Sequence, residues 1–366
     1  MSVTIEHSAP TPAVRVPARW QDYVQLLKPR VMSLVIFTAV TGLICAGKPM
    51  NPFLAATAIL CIAVGAGASA SLNMWFDADI DAAMRRTRGR PVPSGRVQGA
   101  DALALGIVLS LLSVAVMGLA INTLAAALLA FTIAFYAVVY TMWLKRLTPQ
   151  NIVIGGLAGA LPPLVGWAAA SGTAPLNGWL LVAIIFFWTP PHFWALSLYT
   201  SEDYAKAGVP MMPVVRGAAS TRRQILIYSL LLVPLCLAPA FTGLGGVAYL
   251  TVAALGGAMF LLLALRLVRS HAGDPSLPFT GRDAREMRRV GDSGETMTVG
   301  DVPDSPTLTA ARSSLPMEGR EGLYDVRAGA KAARNLFAFS ILYLFLLFAA
   351  LLAEHLFGLR PLELLR

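Results

Sequence analysis

The sequence predicts an all-α, polytopic membrane protein in which nine transmembrane helices surround a central cavity. Three observations carry this. Hydrophobic residues make up 56% of the 366, mean hydropathy is +0.65, and only 13% of residues are charged. Those charges stand between apolar runs, where a soluble domain would scatter them over its surface. The formal charge of +9 does not signal nucleic acid, because lysine and arginine in a membrane protein collect in cytoplasmic loops.

Apolar runs long enough to cross a bilayer place the spans at Val31–Gly47, Phe53–Trp75, Ala102–Ile121, Leu124–Trp143, Ile152–Ser171, Trp179–Tyr199, Ile225–Leu244, Val247–Val268 and Leu336–Phe357. The first is short and needs thin surroundings or polar flanks. Tight turns such as Ile121–Leu124 and Gly243–Gly246 follow the odd-numbered spans, and longer polar loops follow the even-numbered ones. Basic residues fall almost entirely on the side of the polar loops: Arg15, Arg19, Lys28 and Arg30, then Arg85 to Arg96, Lys145, Arg146, Lys206, Arg216, Arg222 and Arg223. The other side holds Lys48, Arg360 and Arg366. The N-terminus is therefore expected in the cytoplasm and the C-terminus outside. The first thirty residues lack an apolar core of their own, so neither a signal peptide nor a good transit peptide is expected. That favours a bacterial cell inner (plasma) membrane.

Small residues at Gly65-Ala-Gly-Ala-Ser69 and Gly155-Gly-Leu-Ala-Gly159 are expected to let helix backbones approach. Pro162-Pro163 and Pro190-Pro191 are expected to kink or interrupt spans five and six beside a cavity. Cys45, Cys61 and Cys236 lie singly in apolar runs and read as packing residues. Composition divides the chain into a cytoplasmic segment 1–30, a transmembrane domain 31–269, a mobile cytoplasmic insertion 270–334, and the ninth span with the C-terminus, 335–366. The insertion is rich in Gly, Ser, Thr, Asp and Pro, with one short helix expected at Asp283–Arg289.

Chemistry concentrates where the second span leaves the bilayer. Asn73, Asp77 and Asp81 are spaced i, i+4, i+8, which lines one helix face within about 80°. Three oxygen donors in a row suit a hard cation; Mg²⁺ takes one or two carboxylates and completes its shell with water and phosphate oxygens. Arg85, Arg86, Arg88 and Arg90 follow, and guanidinium forks suit phosphate. An exposed helix end with an Asp81–Arg85 ion pair would produce the same letters. A second cluster, Glu202-Asp203 with Lys206, Gly208, Pro210 and Pro213, echoes the first at the exit of span six. A duplicated four-span unit would set the two loops across one cavity mouth, with two Mg²⁺ around a diphosphate and Arg86, Arg90, Lys145, Arg146 or Lys206 neutralising it. Beside a greasy cavity this implies a prenyl diphosphate. Its allylic cation would be shielded by side chains such as Trp75, Phe76, Trp143, Trp167, Phe186, Phe187, Trp188 and Trp194, each of which also reads as packing or an interfacial anchor.

Asn73-x₃-Asp77-x₃-Asp81 resembles the signature of the UbiA-type intramembrane prenyltransferases. Lys28-Pro-Arg30-Val, Met84-x-Arg86-Thr-x-x-Arg90-Pro91, Tyr140-Thr with Lys145-Arg146, Asn151-Ile-Val-Ile-Gly-Gly156, Pro190-Pro-His192-Phe-Trp-Ala-Leu196 and Asp203-Tyr-x-x-Ala-Gly208-Val-Pro-Met resemble its heme-farnesylating branch. The resemblance spans about residues 20–270 and the last span; the insertion is longer than that branch leads one to expect. It implies a prenyltransferase with farnesyl diphosphate as donor, heme b as acceptor and heme o as product. It also implies Mg²⁺ (Mn²⁺ as an alternative) on Asn73, Asp77, Asp81 and Asp203, and a downstream heme-modifying or oxidase-assembly partner. Lys28, Arg30, Arg86, Arg90, Lys145, Arg146 and Lys206 become candidates for the diphosphate. The second loop of the superfamily often carries two aspartates four apart; here that register gives Tyr199 and Asp203, so a ligand is missing or replaced. His192, alone among four histidines in lying deep within a span, reads either as a cross-helix hydrogen bond or as a heme contact. The remaining alternatives are another aromatic or tetrapyrrole acceptor and, from a different class, a transporter, which would carry its charges nearer mid-membrane.

Overall fold

The computed structural model describes residues 18–270 and 317–359, and among these every element is helical. Calls on Arg15, Asp283–Arg289, Arg360 and Arg366 lie outside the described residues. A short helix, α1 (Trp20–Leu26), meets α2 (Pro29–Cys45) at a 50° bend. Then follow α3 (Pro52–Phe76), α4 (Ala78–Ala83), α5 (Gly99–Ala120) and α6 (Thr123–Ala134), which continues into a π-helical stretch, Phe135–Leu144, and α7 (Lys145–Leu147). The rest are α8 (Asn151–Ala160), α9 (Pro162–Ser171), α10 (Leu176–Tyr199), α11 (Ser201–Lys206), α12 (Met212–Phe241), α13 (Val247–Arg269) and α14 (Met317–Leu356). Among the described residues, eight helices are long and apolar enough to cross a membrane, or nine when α1 and α2 count as one bent span. This agrees with the expected nine, the first being the short one.

The helices close into a ring. Each packs on the next through α2, α3, α5, α6, α8, α10, α12, α13 and α14, and α14 returns to α2. Span five also packs inward: α9 lies against α2, α3 and α6. Lipid supplies no hydrophobic drive between helices, so close backbone approach must. At the α2–α9 contact a Cβ on Gly42 would strike the carbonyl of Pro163, and one on Gly166 that of Ala39. Gly155 makes room for the Tyr140 ring and Gly156 for Thr189, whereas Gly159 faces open space and makes no such contact.

Two expectations are adjusted. Pro162 breaks span five at Leu161, and of the two outcomes open for Pro190 and Pro191, kink or interruption, the interruption does not occur: α10 runs through both. Proline deletes its own N–H bond, and packing on α8, α12 and α14 holds the helix across that loss. The ninth helix also begins at Met317, so residues 317–334, assigned above to the insertion, are helical. Ala333 is fully buried, so burial begins before the apolar run does.

Candidate active site

The three oxygen-bearing residues stay in register across a helix junction. Asp77 separates α3 from α4 with φ −90° and ψ 14°, a sparsely populated conformation frequent at active sites. The i→i+4 bonds persist through it: Asp77 N donates to Asn73 O (2.9 Å) and Asp81 N to Asp77 O (2.8 Å). Asn73, Asp77 and Asp81 are all buried, and buried carboxylates require partners.

Those partners come from distant parts of the chain. Lys28 Nζ donates to Asn73 Oδ1 (2.7 Å), and Asn73 Nδ2 donates to Asp77 Oδ2 (2.6 Å) and Thr141 Oγ1 (3.2 Å). Lys145 pairs with Asp77 Oδ2, while Arg90 Nη1 reaches Asp81 Oδ2 at 2.6 Å. The expected alternative, an Asp81–Arg85 pair, does not form; Arg85 turns to Asp203 (3.4 Å) and Glu202 (3.7 Å). Arg146 forks onto both oxygens of Asp79 (2.7 and 2.8 Å) and lies 5.0 Å over the Phe76 ring. That hydrogen-bonded guanidinium holds the Asp79 carboxyl below its usual range.

Lys28 sits just outside the first span, at the α1–α2 bend, with φ 51° and ψ 58°; it is the one non-glycine at positive φ among the described residues. Such a backbone is strained and persists only where its surroundings enforce it. Burial, then the positive charge of Arg90, pushes the Lys28 ammonium down to about 7. Its helix is clasped to the first loop: Arg96 donates to Asp22 (2.8 Å) and to the Gly89 carbonyl (3.1 Å). Asp22 also accepts from Arg19 N (3.0 Å).

The second loop packs on the first through Ile80, Met84, Ile152, Val209 and Met211, with Tyr204 against them. A hollow of about 200 Å³ between the loops is lined by Asp79, Arg146, Lys206, Gly208 and Val209. Asp77 and Asp203 are joined through this packing and the Arg85 bridge, not by direct contact. Tyr199 and Asp203 diverge, because α10 ends at Tyr199 and Thr200 is not helical (φ −120°, ψ 17°). Tyr199 faces α14, where Phe337 meets it edge-on at 6.2 Å. Arg30 is exposed and makes no side-chain contact with these carboxylates among the described residues. Trp143 is exposed, which suits an interfacial anchor, whereas Trp167, Trp188 and Trp194 are buried.

The donor set fits a hard divalent cation. Asp77 Oδ1 is buried without a hydrogen-bond partner, and Arg146 Nη2 stands 4.0 Å from it. An oxygen so placed is costly unless something satisfies it. Among the described residues no three His, Cys, Asp or Glu side chains gather as a ready-made metal group, so water and substrate oxygens must complete any shell built on Asn73, Asp77 and Asp81. Three polar contributions to the site were given no role by sequence reasoning. Thr141 holds Asn73, and its position four residues before Lys145 was the available signal. Tyr136 is packed near Asp77, Asp81 and Arg90, and the Asp22–Arg96 clasp crosses too many residues to be seen in a chain.

His192 makes a cross-helix hydrogen bond, one of the two roles open for it. Its ring is stacked between Trp188 (4.2 Å) and Phe337 (4.6 Å), and Nδ1 bonds Ser340 Oγ at 2.7 Å. Ser340 donates its own hydrogen to Phe337 O (2.6 Å), so His192 must be the donor and Nε2 carries the lone pair.

Comparison with known proteins supplies the family. Residues 34–280 match the UbiA prenyltransferase family. The chain is 64% identical over 354 residues to a protoheme IX farnesyltransferase of Caulobacter vibrioides, covering 95% of each. It is 55% identical over 334 residues to one of Azorhizobium caulinodans, covering 91% of this chain and 92% of that protein. Among solved structures it resembles a digeranylgeranylglyceryl phosphate synthase (TM-score 0.63, 15% identity, 92% of this chain and 98% of that one). It also resembles a UbiA homolog from Archaeoglobus fulgidus bound to GPP and Mg²⁺ (TM-score 0.53, 16% identity, 88% and 99%). The buried Asn-Asp-Asp face, its ring of basic residues and the closed set of apolar helices therefore have one explanation: the chain belongs to the UbiA family and is a prenyltransferase.

Proposed function

We propose that this enzyme transfers the farnesyl group of farnesyl diphosphate to a vinyl group of heme b and adds water, giving heme o. The observation that carries it is the buried row Asn73, Asp77 and Asp81, ringed by Lys28, Arg90 and Lys145 at the edge of an apolar helical ring. The names of the relatives support the choice of donor and acceptor. Mg²⁺ held by Asn73, Asp77 and Asp81, with Asp203 as support from the second loop, would offset the charge that collects on the departing diphosphate. Lys28, Arg90 and Lys145 then exchange their carboxylate and amide contacts for diphosphate oxygens, and Arg146 and Lys206 face the shared hollow.

The allylic C–O bond breaks, with its electron pair leaving on diphosphate. The vinyl π electrons form the new C–C bond, which moves the positive charge to the vinyl carbon next to the ring. Water adds there and loses a proton, leaving a hydroxyethylfarnesyl chain. Buried aromatic side chains such as Trp188 and Trp194 keep water from the first cation, and the His192 Nε2 lone pair suits the heme iron. The enzyme is read as a multi-pass protein of the cell inner membrane with its N-terminus and both site loops in the cytoplasm.

The test is incubation of the purified enzyme with Mg²⁺, farnesyl diphosphate and heme b, followed by mass analysis of the heme. A gain of one farnesyl group plus one hydroxyl is expected. Unmodified heme, with prenylation of a competing quinone precursor instead, would refute the acceptor.

A further inference from the structure

The α10–α14 seam carries polar groups that departure of the diphosphate does not require. His192 and Tyr199 are seven residues apart, two turns along one face and roughly 10 Å on an ideal helix. On α14 the matching positions are Arg334, Phe337 and Ser340. Phe337 stacks on His192 and meets Tyr199 edge-on, and the Arg334 guanidinium lies 5.5 Å over the Tyr199 ring. A guanidinium in cation–π contact has five N–H donors and does not spend them all on the ring. Arg334 is exposed and no carboxylate pairs with it among the described residues. Arg86, from the first loop, is also exposed without a carboxylate partner among those residues. The charges of both arginines act on Tyr199. Arg86 also lies near Tyr204 of the second loop.

We infer that Arg334, with Arg86 opposite, forms the anionic edge of the acceptor site and receives the carboxylate side chains of a planar tetrapyrrole lying along α10 toward His192. This rests on the reading of a heme acceptor. The span from His192 to Tyr199 is of the same size as the reach from a tetrapyrrole's centre to its carboxylates. The same placement keeps the acceptor beside the Asp77 face, because Arg86 and Arg90 share one loop. An arginine that merely anchored the helix at the cytoplasmic surface would be indifferent to the charge of the acceptor.

The test compares wild-type enzyme, Arg334→Gln and Arg334→Lys, each with Mg²⁺, using heme b and its dimethyl ester. For heme b, Arg334→Gln is expected to weaken binding in a Soret titration and raise KM by about tenfold, the scale of one charge-assisted contact. KM for farnesyl diphosphate should stay unchanged, and Arg334→Lys should restore part of the loss. With the ester, wild type and Arg334→Gln should bind alike. An equal loss for acid and ester, or no loss for either, overturns the inference. Titration without farnesyl diphosphate separates this claim from the reaction itself. Carboxylate-dependent binding without turnover would refute heme farnesylation and leave the subsite supported, whereas normal turnover with carboxylate-independent binding would do the reverse.

Discussion

Asp77→Asn isolates the charge at the centre of the site. The carboxylate is wholly buried, while the Lys145 side chain is 17% exposed. An amide oxygen can take the place of Oδ2 and still accept from Asn73 and Lys145, so shape and hydrogen bonding survive while the negative charge is lost. Removing one partner of a fully buried pair costs about 3–5 kcal/mol. Because Lys145 keeps some water and an acceptor, about 1–3 kcal/mol is expected here. The chemical step should suffer more. Losing one preorganised group that stabilises developing charge lowers kcat by about 10²–10³, and the orphaned Oδ1 becomes an NH₂ that no cation will accept. Single-turnover formation of prenylated product, measured beside thermal unfolding in detergent, separates the two effects. Adding Lys145→Met should recover stability by removing the unpaired ammonium, yet recover no activity. If Asp77→Asn keeps more than about a tenth of wild-type kcat, or if the double variant regains turnover, the carboxylate is not what activates the diphosphate.

Other consequences are as direct. Lys28, protonated below about 7, must carry its charge to hold a diphosphate, so affinity for farnesyl diphosphate should fall above pH 7 by up to about tenfold per unit. Equilibrium binding in Lys28→Arg should show a flat profile over that range. The lowered pKa of Asp22, caused first by its hydrogen bond from Arg96, means that its clasp contributes above the ordinary carboxylate range. That contribution is lost as pH falls through the lowered value; acid unfolding of Asp22→Asn should lack this component. Gly166→Ala would drive a methyl into the Ala39 carbonyl and should cost about 1–3 kcal/mol as α2 and α9 separate. Gly159→Ala, which meets nothing, is the control and should melt like wild type.

The Asn73, Asp77 and Asp81 row was legible because four-residue spacing is a local property, and the i→i+4 bonds carry it through a junction at Asp77. The spans were equally legible, since a bilayer imposes its thickness on any apolar run. Local patterns fared worse where neighbours intervene. Pro190 and Pro191 were expected to kink or interrupt their span, and with helices packed on several sides α10 runs through them uninterrupted. The start of α14 was placed too late because burial at Ala333 depends on what packs there, not on its own hydropathy.

By itself, then, the sequence determined the helical class, the number of spans and the charged face, which follow from composition and short-range spacing, and its motifs carried the family resemblance. Only the tertiary structure decided which cation meets which carboxylate: Lys28 and Lys145 around Asn73 and Asp77, Arg90 rather than Arg85 on Asp81, and Tyr199 turned toward α14 instead of joining Asp203. Basic side chains are long, and the packing of distant segments on one another decides which of them meets which acid. Pairing at that range is a property of packed helices, and no local pattern encodes it.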